Sequence, residues 1–192
     1  MATLDVSPLA SPPVPRSAFG RRLGLAEGFG SGSSPAEDSG LDSWLLAASA
    51  HLERRLGLLL TPRACVWRLA SWPLESSGAL RLPRSPLSGL PEIRLIDAAG
   101  AETLWTDWRL DSAASSPRLR PVPGAFWPEI LPGGSARVSF TAGLDPLPPD
   151  LAEAVLMLAA HWFENREASA SGLSETPFGL ASLLAPWAGI RL

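Results

Sequence analysis

The chain has 192 residues, 46% of them hydrophobic, and a formal net charge of -3, which suits one domain with an extension and supplies neither a basic track for nucleic acid nor an acidic tail. One cysteine, Cys65, excludes an internal disulfide and a cysteine-based zinc site. No segment reaches the roughly 20 apolar residues that span a bilayer, and the N-terminus lacks the basic start and apolar run of a signal peptide, so a soluble protein made in the cytoplasm is expected.

Residues 1–40 are rich in Pro, Ser and Gly. Ser11-Pro12-Pro13-Val14-Pro15 cannot be helical throughout. A short helix fits near 17–25, with Phe19, Leu23 and Leu25 inward. The rest reads as a flexible arm, ordered only by a neighbour if at all. A first strong helix follows over 41–59. Ser39 and Asp42 have capping-box spacing. Leu41, Trp44, Leu45, Ala48, Leu52, Leu56 and Leu59 form its core stripe, and Thr61-Pro62 stops it.

Residues 64–142 read as a β insertion. The predicted strands are 65–69, 79–82, 92–96, 102–105, 108–110, 118–120 and 136–140. Asp97-Ala98-Ala99-Gly100 is the turn of a hairpin. Arg alternates with apolar residues in several strands, the pattern of a sheet with one wet face. Pro149 and Asp150 open a second helix over 150–166. Leu151, Ala154, Val155, Leu158, Ala159 and Trp162 make one stripe, and Ala152, Leu156, Ala160 and Phe163 a second. A helix apolar nearly all round is covered on several sides, here by the sheet or by another subunit. The tail, 169–192, is an arm with a short amphipathic turn at Phe178–Leu184, stopped by Pro186. The expected fold class is α+β: a small helical bundle with an inserted antiparallel β domain and an extended C-terminal arm.

These residues offer little chemistry. The histidines, His51 and His161, both lie on predicted helices. His161 and Glu164 sit at i and i+3, as metal ligands sometimes do, and a metal-dependent hydrolase using His51 and His161 is the enzyme reading. An interhelical hydrogen bond is the plainer one. Asp107, Asp111, Asp145 and Asp150 are not spaced to act as paired carboxylates. No phosphate loop or nucleophile elbow is present. No cofactor, metal site or catalytic residue is therefore assigned. Eight Trp residues are present. Trp44 and Trp162 lie on helix stripes and Trp67, Trp105 and Trp108 on strands. Trp72, Trp127 and Trp187 adjoin prolines, where exposed Trp marks contact surfaces.

Several segments together carry a resemblance. They are Leu-Glu-Arg-Arg-Leu-Gly at 52–57, Leu-Ile-Asp-Ala-Ala-Gly at 95–100 and Phe-Thr-Ala-Gly-Leu at 140–144. Leu-Pro-Pro-Asp-Leu then precedes a helix closing on Ala-Ala-His-Trp-Phe-Glu-Asn-Arg-Glu at 159–167, and Pro-Phe-Gly-Leu-Ala-Ser-Leu-Leu-Ala-Pro-Trp ends at 187. Over residues 41–192 the chain resembles the head–tail connector, or adaptor, family of long-tailed phages, prophages and gene transfer agents, in its longer variety with a β insertion.

The resemblance implies a structural protein and no enzyme. It implies a homo-oligomeric ring of about twelve copies under the portal protein, at the head–tail junction of a virion or phage-like particle assembled in the bacterial cytoplasm. The ring extends the DNA channel, passes DNA without sequence preference, touches no membrane and offers a docking surface to a stopper or other tail-proximal ring protein. The implied portal-binding arm is Pro177, Phe178, Gly179, Leu180, Leu183, Leu184, Pro186 and Trp187. The implied subunit contact is Leu156, Ala160, His161, Trp162, Phe163, Glu164, Asn165 and Arg166. A stopper or tail-terminator ring protein is the neighbouring alternative; those are expected to be mainly β.

Overall fold

A computed structural model of the chain describes residues 2–25, 35–111, 117–165 and 179–187. The fold is α+β, as expected, and forms two compact units. One is built from residues 1–8 and 57–144, the other from 9–56 and 145–192.

The first unit is antiparallel β structure. Its strands are β1 (Ala2–Val6), β2 (Arg63–Leu69), β3 (Leu80–Arg81), β4 (Glu92–Ile96), β5 (Glu102–Trp105), β6 (Trp108–Asp111), β7 (Arg118–Pro121) and β8 (Ser135–Ala142). A five-stranded sheet has the order β1-β2-β8-β4-β5, and a three-stranded sheet the order β3-β7-β6. Alternation along β2 and β8 decides which face is dry. Cys65, Trp67 and Leu69 on β2, and Ala136, Val138, Phe140 and Ala142 on β8, turn inward and are buried. They meet Leu80 and Leu119 from the smaller sheet, Leu82 just after β3 and Ile93 from β4 in one core. The β4–β5 hairpin turns where expected. The Asp97 carboxylate accepts the N–H groups of Ala99 and Ala101 at 2.9 and 2.8 Å, and Gly100 takes the positive φ of 86° that the turn needs.

The flexible-arm expectation for residues 1–40 is corrected over the part described. Ala2–Val6 pairs in register with β2 from Ala2↔Leu69 to Val6↔Cys65. The strand satisfies its backbone groups on a partner some 60 residues away in sequence, so Ala-Thr-Leu-Asp-Val shows no local signal of it.

The second unit is helical, with α1 (Arg16–Arg22), α2 (Pro35–Leu56), α3 (Pro149–Glu164) and α4 (Leu180–Leu184), followed by a 3-10 turn at Ala185–Trp187. Helix α2 starts earlier and ends earlier than the sequence suggests. Ser39 lies inside it rather than at its cap, and the helix stops at Leu56, where Gly57 has φ 74°. Leu59 consequently leaves the helical stripe and joins the β core. In α3, Leu151, Ala154, Val155, Leu158, Ala159 and Ala160 are buried. They pack with α2, α4 and α1. Each fully buried large apolar side chain there contributes roughly 1.5–3 kcal/mol. The helix is thus covered on several sides by helices of its own unit, where the sequence left a choice between the sheet and another subunit. Its second stripe splits: Ala160 is buried, while Leu156 and Phe163 are half-buried.

Candidate functional interface

Two surfaces carry the candidate contacts: the C-terminal end of α3 with α4, and the rim of the β unit.

The end of α3 is built by aromatic packing. Phe163 meets Phe19 of α1 edge-on, with ring centroids 6.3 Å apart at 81°, and meets Trp44 of α2 at 6.5 Å and 87°. These are favoured T-shaped geometries. Phe19 is wholly buried. Trp162 turns its ring onto His51, 5.5 Å away at 89°. Burial, and to a lesser degree Arg54 and Arg55, hold the His51 imidazole below its ordinary value. Asn165 closes the helix: its backbone N–H donates to the His161 carbonyl at 3.1 Å, and its side-chain amide donates to the same oxygen at 2.8 Å. The two histidines therefore have separate neighbours, a tryptophan ring and a capping asparagine. Among the described residues no three His, Cys, Asp or Glu side chains come together as a metal site. Cys65 is buried, and burial pushes its thiol up, away from the reactive thiolate.

Most of the residues proposed for contacts have definite positions. Ala160 is buried, Leu156, His161, Trp162 and Phe163 are half-buried, and Glu164 and Asn165 are exposed. In the C-terminal arm, Gly179 precedes α4 with φ 96°. Leu180 and Leu184 are buried in their own unit, and α4 packs on α3. The Trp187 indole N–H donates to the Asp150 carboxylate at 2.6 Å, tying the end of the arm to the start of α3. Leu183 is half-buried and Pro186 exposed. Arg166, Pro177 and Phe178 lie outside the described residues.

Sequence reasoning missed three features of this unit: the Asp150–Trp187 link, the Arg22–Glu153 ion pair and the Phe19–Phe163–Trp44 cluster. Only the last left a trace, since each ring falls on an apolar stripe.

The β unit presents a different surface. Its wet face carries Arg68, Arg137 and Arg94 side by side across β2, β8 and β4. Arg68 pairs with Asp5, and Arg137 with Glu102. Arg94 donates to Glu92 at 2.7 Å, and that bond holds the Glu92 carboxyl below its usual range. On the smaller sheet Arg118 donates to Glu75 at 2.8 Å, with the same effect on Glu75. The alternating arginines thus form a ladder with carboxylate partners.

Three tryptophans gather at one side of this unit. Trp72 and Trp127 lie 4.8 Å apart, and Trp105 and Trp127 5.0 Å apart. The Trp72 indole donates to the Pro128 carbonyl at 2.7 Å, and that of Trp127 to the Gly78 carbonyl at 2.9 Å. These bonds fix the irregular segment around 124–131. Next to them Phe126 is 85% exposed, Leu131 59% and Leu104 50%.

No family model matches the chain, and no curated protein matches it. Solved structures do. A chain in the neck of an empty gene transfer agent particle, computed with sixfold symmetry, is 36% identical with a TM-score of 0.81, over 99% of this chain and 97% of that one. A chain in the virion of a native gene transfer agent particle is 34% identical with a TM-score of 0.78, over the same shares. A chain in the neck of the native particle, computed with twelvefold symmetry, is 32% identical with a TM-score of 0.70, over 98% and 97%. Identity at this level, sustained along nearly the full length of both chains, shows that this chain belongs to the family of structural proteins of the gene transfer agent neck.

Proposed function

We propose that the chain is the head–tail adaptor: a ring of twelve copies below the portal that extends the DNA channel and gives tail-proximal components their docking surface. The likeness of the whole chain to neck proteins carries this reading. Sixfold and twelvefold symmetry in those necks suits a homo-oligomeric ring, in which one patch of each copy meets a different patch of the next. The carboxylate-paired arginines of the β unit suit a channel that must pass DNA without gripping it.

The arm from Pro177 to Trp187 is proposed to make the portal contact. Leu180, Leu184 and the Trp187–Asp150 bond hold its described part on α3. Leu183 and Pro186 are its more accessible described side chains, and Pro177 and Phe178 stand just upstream. Many weak contacts around a ring supply avidity. At the end of α3, the exposed Glu164 and Asn165, with Arg166 after them and the half-buried Leu156, are proposed to help seat the neighbouring copy.

The test mixes purified portal rings with the full chain and images the product. The adaptor reading predicts a second ring of twelve copies on each portal, lost when the chain is cut after Thr176. Portals that stay bare with the intact chain would refute it.

A further inference from the structure

Among the described residues every large apolar side chain that is exposed lies in the β unit: Leu74, Leu90, Leu104, Phe126 and Leu131. Two of them, Leu104 and Phe126, lie at one edge. Strand β5 ends the five-stranded sheet, so one side of its backbone has no strand partner. Leu104 projects from one face of β5. Trp105 projects from the other, stacked on Trp127, with Phe126 next in sequence. Indole bonds hold the segment carrying Phe126 in place, so its exposure is built into the fold.

An unpaired strand edge rimmed with exposed apolar side chains favours association. Resting on the ring reading above, we infer that the β5 edge, with Leu104 and Phe126, is the surface against which the next copy of this chain docks in the neck ring. A second copy fits because a cyclic assembly places a neighbour beside every subunit through a heterologous contact, and the similar chains sit in necks of sixfold and twelvefold symmetry. The opposite edge, β1, is unlike it. There Asp5 pairs with Arg68 across the two outermost strands, and Leu4 and Val6 of β1 are half-buried rather than exposed. The two ends of the sheet are therefore different surfaces, as a heterologous ring contact requires.

Photocrosslinking in assembled particles tests this directly. The full chain carries a photoreactive phenylalanine analogue at position 126, or at Ala47 on the exposed side of α2 as a control. It is expressed in place of the natural chain, and purified particles are irradiated. The expected product from position 126 is a chain-to-chain dimer, with its linkage confirmed between two copies by mass spectrometry. A link to another particle protein, a link within the same chain, or no link from position 126 overturns the inference while leaving the ring reading intact. Absence of the chain from purified particles would instead sink the ring reading, and this inference with it. Phe126→Asp gives a second readout. It is expected to leave the melting temperature unchanged and to cut the yield of joined particles about tenfold. Joined particles at the natural yield would count against the docking surface.

Discussion

The helical unit and the β unit handle their apolar residues in opposite ways. Helix α3 is apolar on two stripes, yet α1, α2 and α4 of the same unit pack on it, and among the described residues no large apolar side chain of that unit is exposed. The β unit has a dry core between two sheets and also leaves Leu104 and Phe126 exposed at the β5 edge and Leu74, Leu90 and Leu131 exposed elsewhere. The difference shows that apolar periodicity reports how many sides of an element are covered, without naming what covers them. The exposed apolar side chains lie largely in irregular segments and at a strand edge, where periodicity has nothing to report.

The sharpest way to break the comparison is at the backbone of the β unit. Gly143 has φ 141°, and a Cβ there would fall 2.0 Å from the Thr61 carbonyl oxygen. Gly143→Ala should cost about 4 kcal/mol or more, because a backbone clash cannot be relieved by a rotamer change. Denaturant unfolding measures it, and a loss under about 1 kcal/mol would mean that the β unit tolerates rearrangement there.

Next in size is the helical core. Phe19 is fully buried against Phe163, so Phe19→Ala should destabilise by about 3–5 kcal/mol. A result under about 1 kcal/mol would contradict the closed helical unit and return α1 to a loose arm. Trp187→Phe keeps most of the ring but removes the bond to Asp150. A loss of about 1.5–3 kcal/mol is expected for a hydrogen bond to a charged group, with faster amide exchange in α4. Unchanged exchange would show that the bond does not hold the arm.

A smaller effect comes from His51. Its folded pKa lies below the ordinary 6.5, so the unfolded chain binds the proton first as pH falls. Stability should therefore hold above about pH 6.5 and decline as pH drops through that value toward the depressed folded one. His51→Gln should flatten the decline, and an unchanged slope would assign it to other groups. The smallest expected change is in the stability of Phe126→Asp. It should stay within about 0.5 kcal/mol of the natural chain, because the side chain is already in water. A larger loss would mean that Phe126 packs within the fold.

Much of the architecture was legible in the residues. The hairpin at 92–105 followed from Asp97 and Gly100, and β8 from the alternation of Ala136, Val138 and Phe140. Helix α3 followed from Pro149 and two apolar stripes. The unread parts share one physical cause, dependence on distant partners. Strand β1 exists because β2 offers it a ladder. Helix α4 is covered because α3 offers it a groove. The partition of the strands into two sheets depends on pairings such as Leu80↔Leu119, far apart in sequence. For the contact surfaces, the motif around His161–Asn165 pointed to a family, while the exposure of Phe126 could not be read at all. Phe-Trp-Pro looks the same whether the phenylalanine or the tryptophan faces inward.

The central claim is that this chain forms a ring joining head to tail, and electron microscopy of particles from a strain lacking it is the most direct test. The account predicts filled heads and separate tails that fail to join, restored to joined particles when the chain is supplied. Joined particles of ordinary appearance in its absence would contradict it.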